Sequence, residues 1–65
     1  MRVLLRSKQT GKYFGPDERW TDSSTDALDF MQIDQAISAA VRKRLGEVEV
    51  VLRFNQQREI KLQIH

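Results

Sequence analysis

A chain of 65 residues has room for one domain and one small core. Cysteine is absent and histidine occurs once, as His65, which excludes disulfides, thiolate zinc sites and multi-histidine metal sites. The formal charge of +2 conceals an alternation: +4 over residues 1–16, −5 over residues 17–34 and +3 over residues 42–65, where a dedicated nucleic-acid binder is more often basic across its whole contact surface.

Residues 2–8 read as a first strand, with Val3 and Leu5 alternating with Arg2, Arg6 and Lys8. The opening MRVLLRSK has neither a long apolar region nor a small-residue cleavage site, so it does not read as a signal peptide. No apolar run is long enough to span a membrane as a helix. A soluble cytoplasmic protein, bacterial or phage by its size, is the expectation. The chain starts and stops inside apparent strands, which reads as a complete short protein.

Gln9-Thr10-Gly11 is a turn, with Gly11 suited to the left-handed position of a three-residue hairpin loop. A second strand follows through Lys12-Tyr13-Phe14 and stops at Gly15-Pro16. Its face is open at this point. A one-residue change in loop length exchanges Tyr13 and Phe14 between core and solvent. Phe14 is the more hydrophobic, whereas the three-residue loop sets Tyr13 opposite Ser7, on the Leu5 side.

Residues 16–31 read as a long irregular link rich in Asp, Ser and Thr, with Trp20, Ala27, Leu28 and Phe30 as its apolar points. Ordering such a link costs backbone entropy, and a large ring buried there offsets part of it. Trp20, with Phe30, is therefore read as a structural peg rather than a stacking platform. A helix follows. Ile33, Ile37, Ala40, Val41 and Leu45 share one face. Ala36, Ala39 and Ala40 add propensity and permit close approach to a sheet. Asp34 in the first turn and Arg42, Lys43 and Arg44 in the last suit the helix dipole, and Gly46 is the expected stop.

The last two strands alternate most clearly: Val48, Val50, Leu52 and Phe54 on one face, then Ile60, Leu62 and Ile64 repeating the pattern. A three-residue loop of Asn55-Gln56-Gln57 sets Leu52 by Ile60, Val50 by Leu62 and Val48 by Ile64. It also pairs Arg53 with Glu59 on the outer face. Gln57 is the weak point, being poorly suited to a left-handed position. The expected fold is α+β: a β-β-α-β-β single domain over residues 1–65, an antiparallel sheet with one helix packed on one face. The first strand is expected in the middle of the sheet beside one strand of the second hairpin.

Catalysis has little support in these residues. Nucleophilic Ser or Thr needs a base, and neither a G-x-S-x-G elbow nor a phosphate-cradling glycine loop is present. Asp22, Asp26 and Asp29 read as turn-capping and solvated carboxylates. The row DSSTDALD lacks the mid-loop glycine and terminal glutamate of a calcium loop. No catalytic, cofactor-binding or metal-ligating residue is assigned, and no cofactor is expected.

Gly11, Tyr13, Phe14, Trp20, Thr21, Ala27, Phe30, Ala36 and Ala40 form a pattern that resembles small uncharacterised bacterial proteins. In these, an aromatic hairpin precedes a Trp-Thr pair, an Ala-x-x-Phe step and an alanine-rich helix. The resemblance spans roughly residues 10–41 and implies a small α+β fold without an attached activity. RSKQTGKYF is also similar in flavour to the hairpin of the N-terminal arm-binding domains of phage-type tyrosine integrases, which read DNA. The chain departs from these in its fourth strand and its acidic link.

Two functions from different classes follow. One is a non-enzymatic protein-interaction module with an unknown protein partner, as a monomer or weak homodimer joined through a sheet edge. The other is a nucleic-acid-binding module on the basic outer face of the sheet. The candidate binding surface is Arg2, Leu4, Arg6, Lys8, Val51, Arg53 and Lys61. The bland reading of the same residues is a solvated face with cross-strand pairs to Glu47, Glu49 and Glu59.

Overall fold

The computed structural model describes residues 1–64; His65 lies outside the described residues. Along the chain come β1 (Arg2–Ser7), β2 (Tyr13–Phe14), β3 (Trp20–Thr21), α1 (Ile33–Arg42), β4 (Val48–Asn55) and β5 (Arg58–Gln63). The strands form one antiparallel sheet in the order β3-β2-β1-β4-β5, with α1 on one face. This is the expected α+β arrangement, with β1 in the middle beside β4, and with one strand more.

The extra strand is β3, which lies in the stretch read as irregular. Trp20 pairs with Phe14 and Thr21 with Tyr13. The turn between them is closed by the Gly15 N–H donating to the Arg19 carbonyl at 2.7 Å. Asp17 and Glu18 both take left-handed conformations, with φ of 59° and 58°. Gly15 is required by space rather than by dihedral angle, since a Cβ there would stand 2.9 Å from the Arg19 carbonyl oxygen.

The first hairpin settles the face of β2. Arg6 pairs with Tyr13, the Ser7 N–H donates to the Lys12 carbonyl at 2.8 Å, and the Gly11 N–H donates to Ser7 at 2.9 Å. The loop is therefore residues 8–11, one longer than the three-residue reading, and Gly11 is left-handed at φ 77°. Parity then puts Phe14 on the Leu5 face and Tyr13 on the Arg6 face.

In the second hairpin Leu52 meets Ile60, Val50 meets Leu62 and Arg53 meets Glu59, all as expected. The parity is kept by a different device. Asn55 pairs with Arg58 across a tight turn, and a bulge between Arg53 and Asn55 absorbs one residue. Gln57 thus avoids the left-handed position for which it is unsuited. Its N–H donates to the Asn55 side chain at 2.8 Å, an Asx turn.

On the helix side the core is Val3, Leu5, Phe14, Val48, Val50 and Leu52 under Ala36 and Ala40. The buried face of α1 is the alanine face, not the expected isoleucine face. Ala36, Ala39 and Ala40 are buried, whereas Ile33, Ile37 and Val41 stay 37%, 38% and 67% exposed. Small side chains let the helix settle close to the sheet. At about 100° per residue, this turns the larger side chains onto its flank.

The other side of the sheet is covered too. Leu4 and Val51, opposite each other in the β1–β4 ladder, pack against Ala27 of the link, with Tyr13 beside them. The link is pinned where β2 runs out. Asp29 accepts the Val3 N–H at 3.0 Å, and the Phe30 N–H donates to the Val3 carbonyl at 2.8 Å. Two residues of the link thereby satisfy backbone groups that a longer β2 would have paired.

Asp29 also accepts the Met31 N–H at 2.9 Å. Hydrogen bonding from Val3 first, then from Met31, with the charges of Arg2 and the N-terminus adding, holds its carboxyl below the ordinary aspartate value, although partial burial pushes it the other way. A depressed folded pKa contributes stability above the unfolded value and loses it as pH falls through the folded one. Thermal stability is therefore expected to fall below about pH 4. Asp29→Asn should flatten that part of the profile while lowering the plateau. An acid profile identical in wild type and Asp29→Asn would remove Asp29 from this role.

Candidate interaction surface

The seven residues of the expected surface separate into three groups. Leu4 and Val51 are fully buried, each 0% exposed, and offer nothing to a partner; that part of the expectation is corrected by the link that folds over them. Arg2, Arg6 and Arg53 are committed within the chain. Arg2 donates to the carbonyls of Ser24 at 2.7 Å and Ala27 at 2.9 Å, closing the short 3₁₀ turn Ser24–Asp26 against the sheet. Arg6 donates to the Gly11 carbonyl at 3.2 Å and to Glu49 at 3.1 Å. Glu49, itself buried, also accepts from Gln63 at 3.3 Å. Arg53 donates to the Ser24 hydroxyl and pairs with Glu59 at 3.3 Å. Only Lys8 and Lys61 of the seven are exposed. Arg2 and Arg53 hold the link over the outer face, while Arg6 ties the first hairpin loop to Glu49 of β4.

The carboxylates considered for chemistry do not converge. Asp29 is occupied by two backbone donors, and among the described residues no three His, Asp or Glu side chains gather as metal ligands would. Among the described residues no helix is long and apolar enough to cross a membrane.

A different surface stands open on the helix side. Because Phe30 binds Val3, α1 begins at the Val3 end of β1. At its other end Val41 shares a cavity of about 330 Å³ with Val48, Ile64, Lys8 and Glu47. The helix therefore runs in the direction of β1. A right-handed helix in that direction turns Ile33, Ile37 and Val41 toward β4 and β5. The opposite flank faces the β2–β3 turn, where Lys43 donates to Glu18 at 2.6 Å.

Beside the flank of Ile33, Ile37 and Val41 lies β5, a sheet edge whose six residues are all exposed. Ile60 and Leu62 point to the helix side, opposite Leu52 and Val50, yet remain 50% and 37% exposed. The helix covers β1 and β4 and stops short of β5. Successive flank residues of α1 are about 6 Å apart, and Ile60 and Leu62 about 6.8 Å apart, so the two apolar rows run in near register. This surface was not read from the sequence. The available signal was the width of the apolar arc on α1, from Ala39 round to Val41, which one sheet face cannot cover. In comparisons with family models, with curated proteins and with solved structures, nothing matches this chain, and its function is argued from this geometry.

Proposed function

We propose that the chain is a small non-enzymatic protein-interaction module that docks through the flank of α1 and the edge strand β5. The observation that carries the reading is the coincidence of two features in one place. Ile33, Ile37, Ile60 and Leu62 are exposed together, and they adjoin an edge whose backbone groups have no strand beyond them among the described residues. Apolar contact and strand addition are the two ingredients of edge recognition. Single exposed apolar residues are ordinary on a protein surface, whereas a row of them beside a free edge marks an interaction site. The non-enzymatic part rests on side chains that are already occupied: Asp29 by backbone donors, Glu49 by Arg6 and Gln63.

The test is a paired substitution on the exposed row, Ile60→Glu with Leu62→Lys. Partner capture by the wild type and its loss in the variant, at an unchanged melting temperature, supports the reading. Capture that survives the double variant would refute it.

Nucleic-acid binding through the outer face has less behind it, because Arg2, Arg6 and Arg53 already serve internal acceptors. Releasing Arg2 and Arg53 to phosphates would uncover the link. Binding of duplex or single-stranded DNA at physiological salt is expected to be weak. Arg2→Ala should lower thermal stability rather than change a salt slope. Tight binding whose affinity falls steeply with salt, and that Arg2→Ala weakens without destabilising the fold, would reinstate the basic face.

A further inference from the structure

Resting on that reading, we infer that the occupant of this face is a second copy of the chain, docked antiparallel along β5 with Ile60 on the two-fold axis, so that two five-stranded sheets become one sheet of ten.

The backbone fixes which groups the edge offers. Ser7 and Val3 direct their N–H groups toward Lys12 and Asp29, on the β2 side of β1. Alternation then sends Arg2, Leu4 and Arg6 toward β4, and their ladder partners Arg53, Val51 and Glu49 back toward β1. Val50 and Leu52 therefore face β5, where they meet Leu62 and Ile60. The remaining residues of the edge, Glu59, Lys61 and Gln63, present their N–H and C=O groups outward.

Symmetry and charge then select the register. A two-fold axis perpendicular to the sheet keeps each face on its own side, so the axis must pass through a residue. Centred on Glu59 or on Lys61, the pairing sets like charges directly opposite, which is destabilising. Centred on Leu62, it sets Lys61 opposite the partner's Gln63 and forms no charge pair. Centred on Ile60, it sets Glu59 opposite the partner's Lys61, twice by symmetry, and both pairs use the outward-facing backbone groups. Within the chain Lys61 has no ion-pair partner among the described residues, so it is available for this pair. On the helix side Ile60 meets the partner's Ile60, and Leu62 lies along the aliphatic stem of the partner's Arg58.

Area bears on strength. A standard interface takes about 800 Å² from each partner, roughly a sixth of the 4675 Å² that the chain exposes. The two copies of α1 would stand roughly 19 Å apart across four strands at about 4.8 Å each, beyond helix packing distance of about 8–10 Å. The strands and their apolar rows therefore carry the contact, and a dimer in the micromolar range is expected rather than an obligate one.

The register gives a test that few other arrangements pass. Sedimentation equilibrium should show wild-type mass rising with concentration. Lys61→Glu places two Glu–Glu pairs across the axis and should raise the dissociation constant roughly tenfold or more. Adding Glu59→Lys to the same chain restores opposite charges and should recover most of the loss. Circular dichroism melts establish that each variant is folded. A dimer indifferent to Lys61→Glu, or one that the double exchange fails to rescue, overturns the register. A chain that stays monomeric at millimolar concentration overturns the homodimer. Loss of capture of another protein on Ile60→Glu and Leu62→Lys would, in that case, leave the interaction reading standing by itself.

Discussion

Leu4→Lys is expected to leave the chain unfolded at 25 °C, although Leu4 sits between Arg2 and Arg6 on the charged face of β1. The side chain is 0% exposed. It is closed in by Val51 across the ladder and by Ala27 from the link. Removing its buried methyl groups costs about 2–5 kcal/mol by itself. An ammonium in the same place adds the cost of an unpaired buried charge, because Glu49, the buried acid on that face, already serves Arg6 and Gln63. A chain of this length has roughly 3–10 kcal/mol of stability in total, so the two terms together consume it. Leu4→Ala, with only the first term, should stay folded with a clearly lower urea midpoint. Val51→Lys should behave as Leu4→Lys does. Far-ultraviolet circular dichroism with a urea titration reads all three. A folded Leu4→Lys with a near wild-type midpoint would mean that the link does not cover this face. In that event the basic surface would again be open to partners.

How much of this was legible depends on the range of the interaction. The β4–β5 hairpin reads directly from the chain because Leu52, Val50, Ile60 and Leu62 alternate strictly, and the Arg53–Glu59 pair rejects the other parity. The helix reads from spacing and composition, but its stop does not: it ends at Arg42 rather than at Gly46, and Arg44 takes the first left-handed conformation beyond it. Its buried face does not either, because periodicity reports that Ile33, Ile37 and the alanines share an arc but not which part of the arc meets the sheet. The close approach permitted by Ala36 and Ala40 decided that. The strand β3 carries two residues and hence no period. Its turn uses Asp17 and Glu18 in left-handed conformations instead of the Asn-Gly that would have announced it. The outer face was misjudged for the same reason of range. Alternation shows that Leu4 and Val51 leave the helix side, but not that Ala27, far along the chain, returns to cover them. Whether an arginine is free is equally non-local, since Arg2 finds its acceptors 22 and 25 residues away.

The aromatic residues of the hairpin give the sharpest quantitative contrast. The peg of this fold is Phe14 rather than Trp20. Phe14 is 3% exposed and lies between two other rings. The Trp20 ring meets it edge-on at 5.5 Å and 77°, and the Phe30 ring is stacked at 6.3 Å and 21°. Trp20, paired opposite Phe14 in the short strand β3, keeps 38% of its surface in solvent. Phe14→Ala removes a ring from a closed site and leaves a cavity, a change that costs about 3–5 kcal/mol and brings a chain of this size to the edge of unfolding. Trp20→Ala removes a ring from an open rim, where water fills the space and the cavity term is absent. The cost is then closer to about 2 kcal/mol, mostly from the buried part of the indole. The two effects should not add. The edge-on contact is worth about 0.5–1.5 kcal/mol beyond area, so the double variant should be less destabilised than the sum of the singles by about that amount. Urea titrations followed by far-ultraviolet circular dichroism, which does not depend on the indole, give all three values. Equal costs for the two single variants would return Trp20 to the role of peg. Strict additivity would show that the edge-on contact contributes nothing beyond burial.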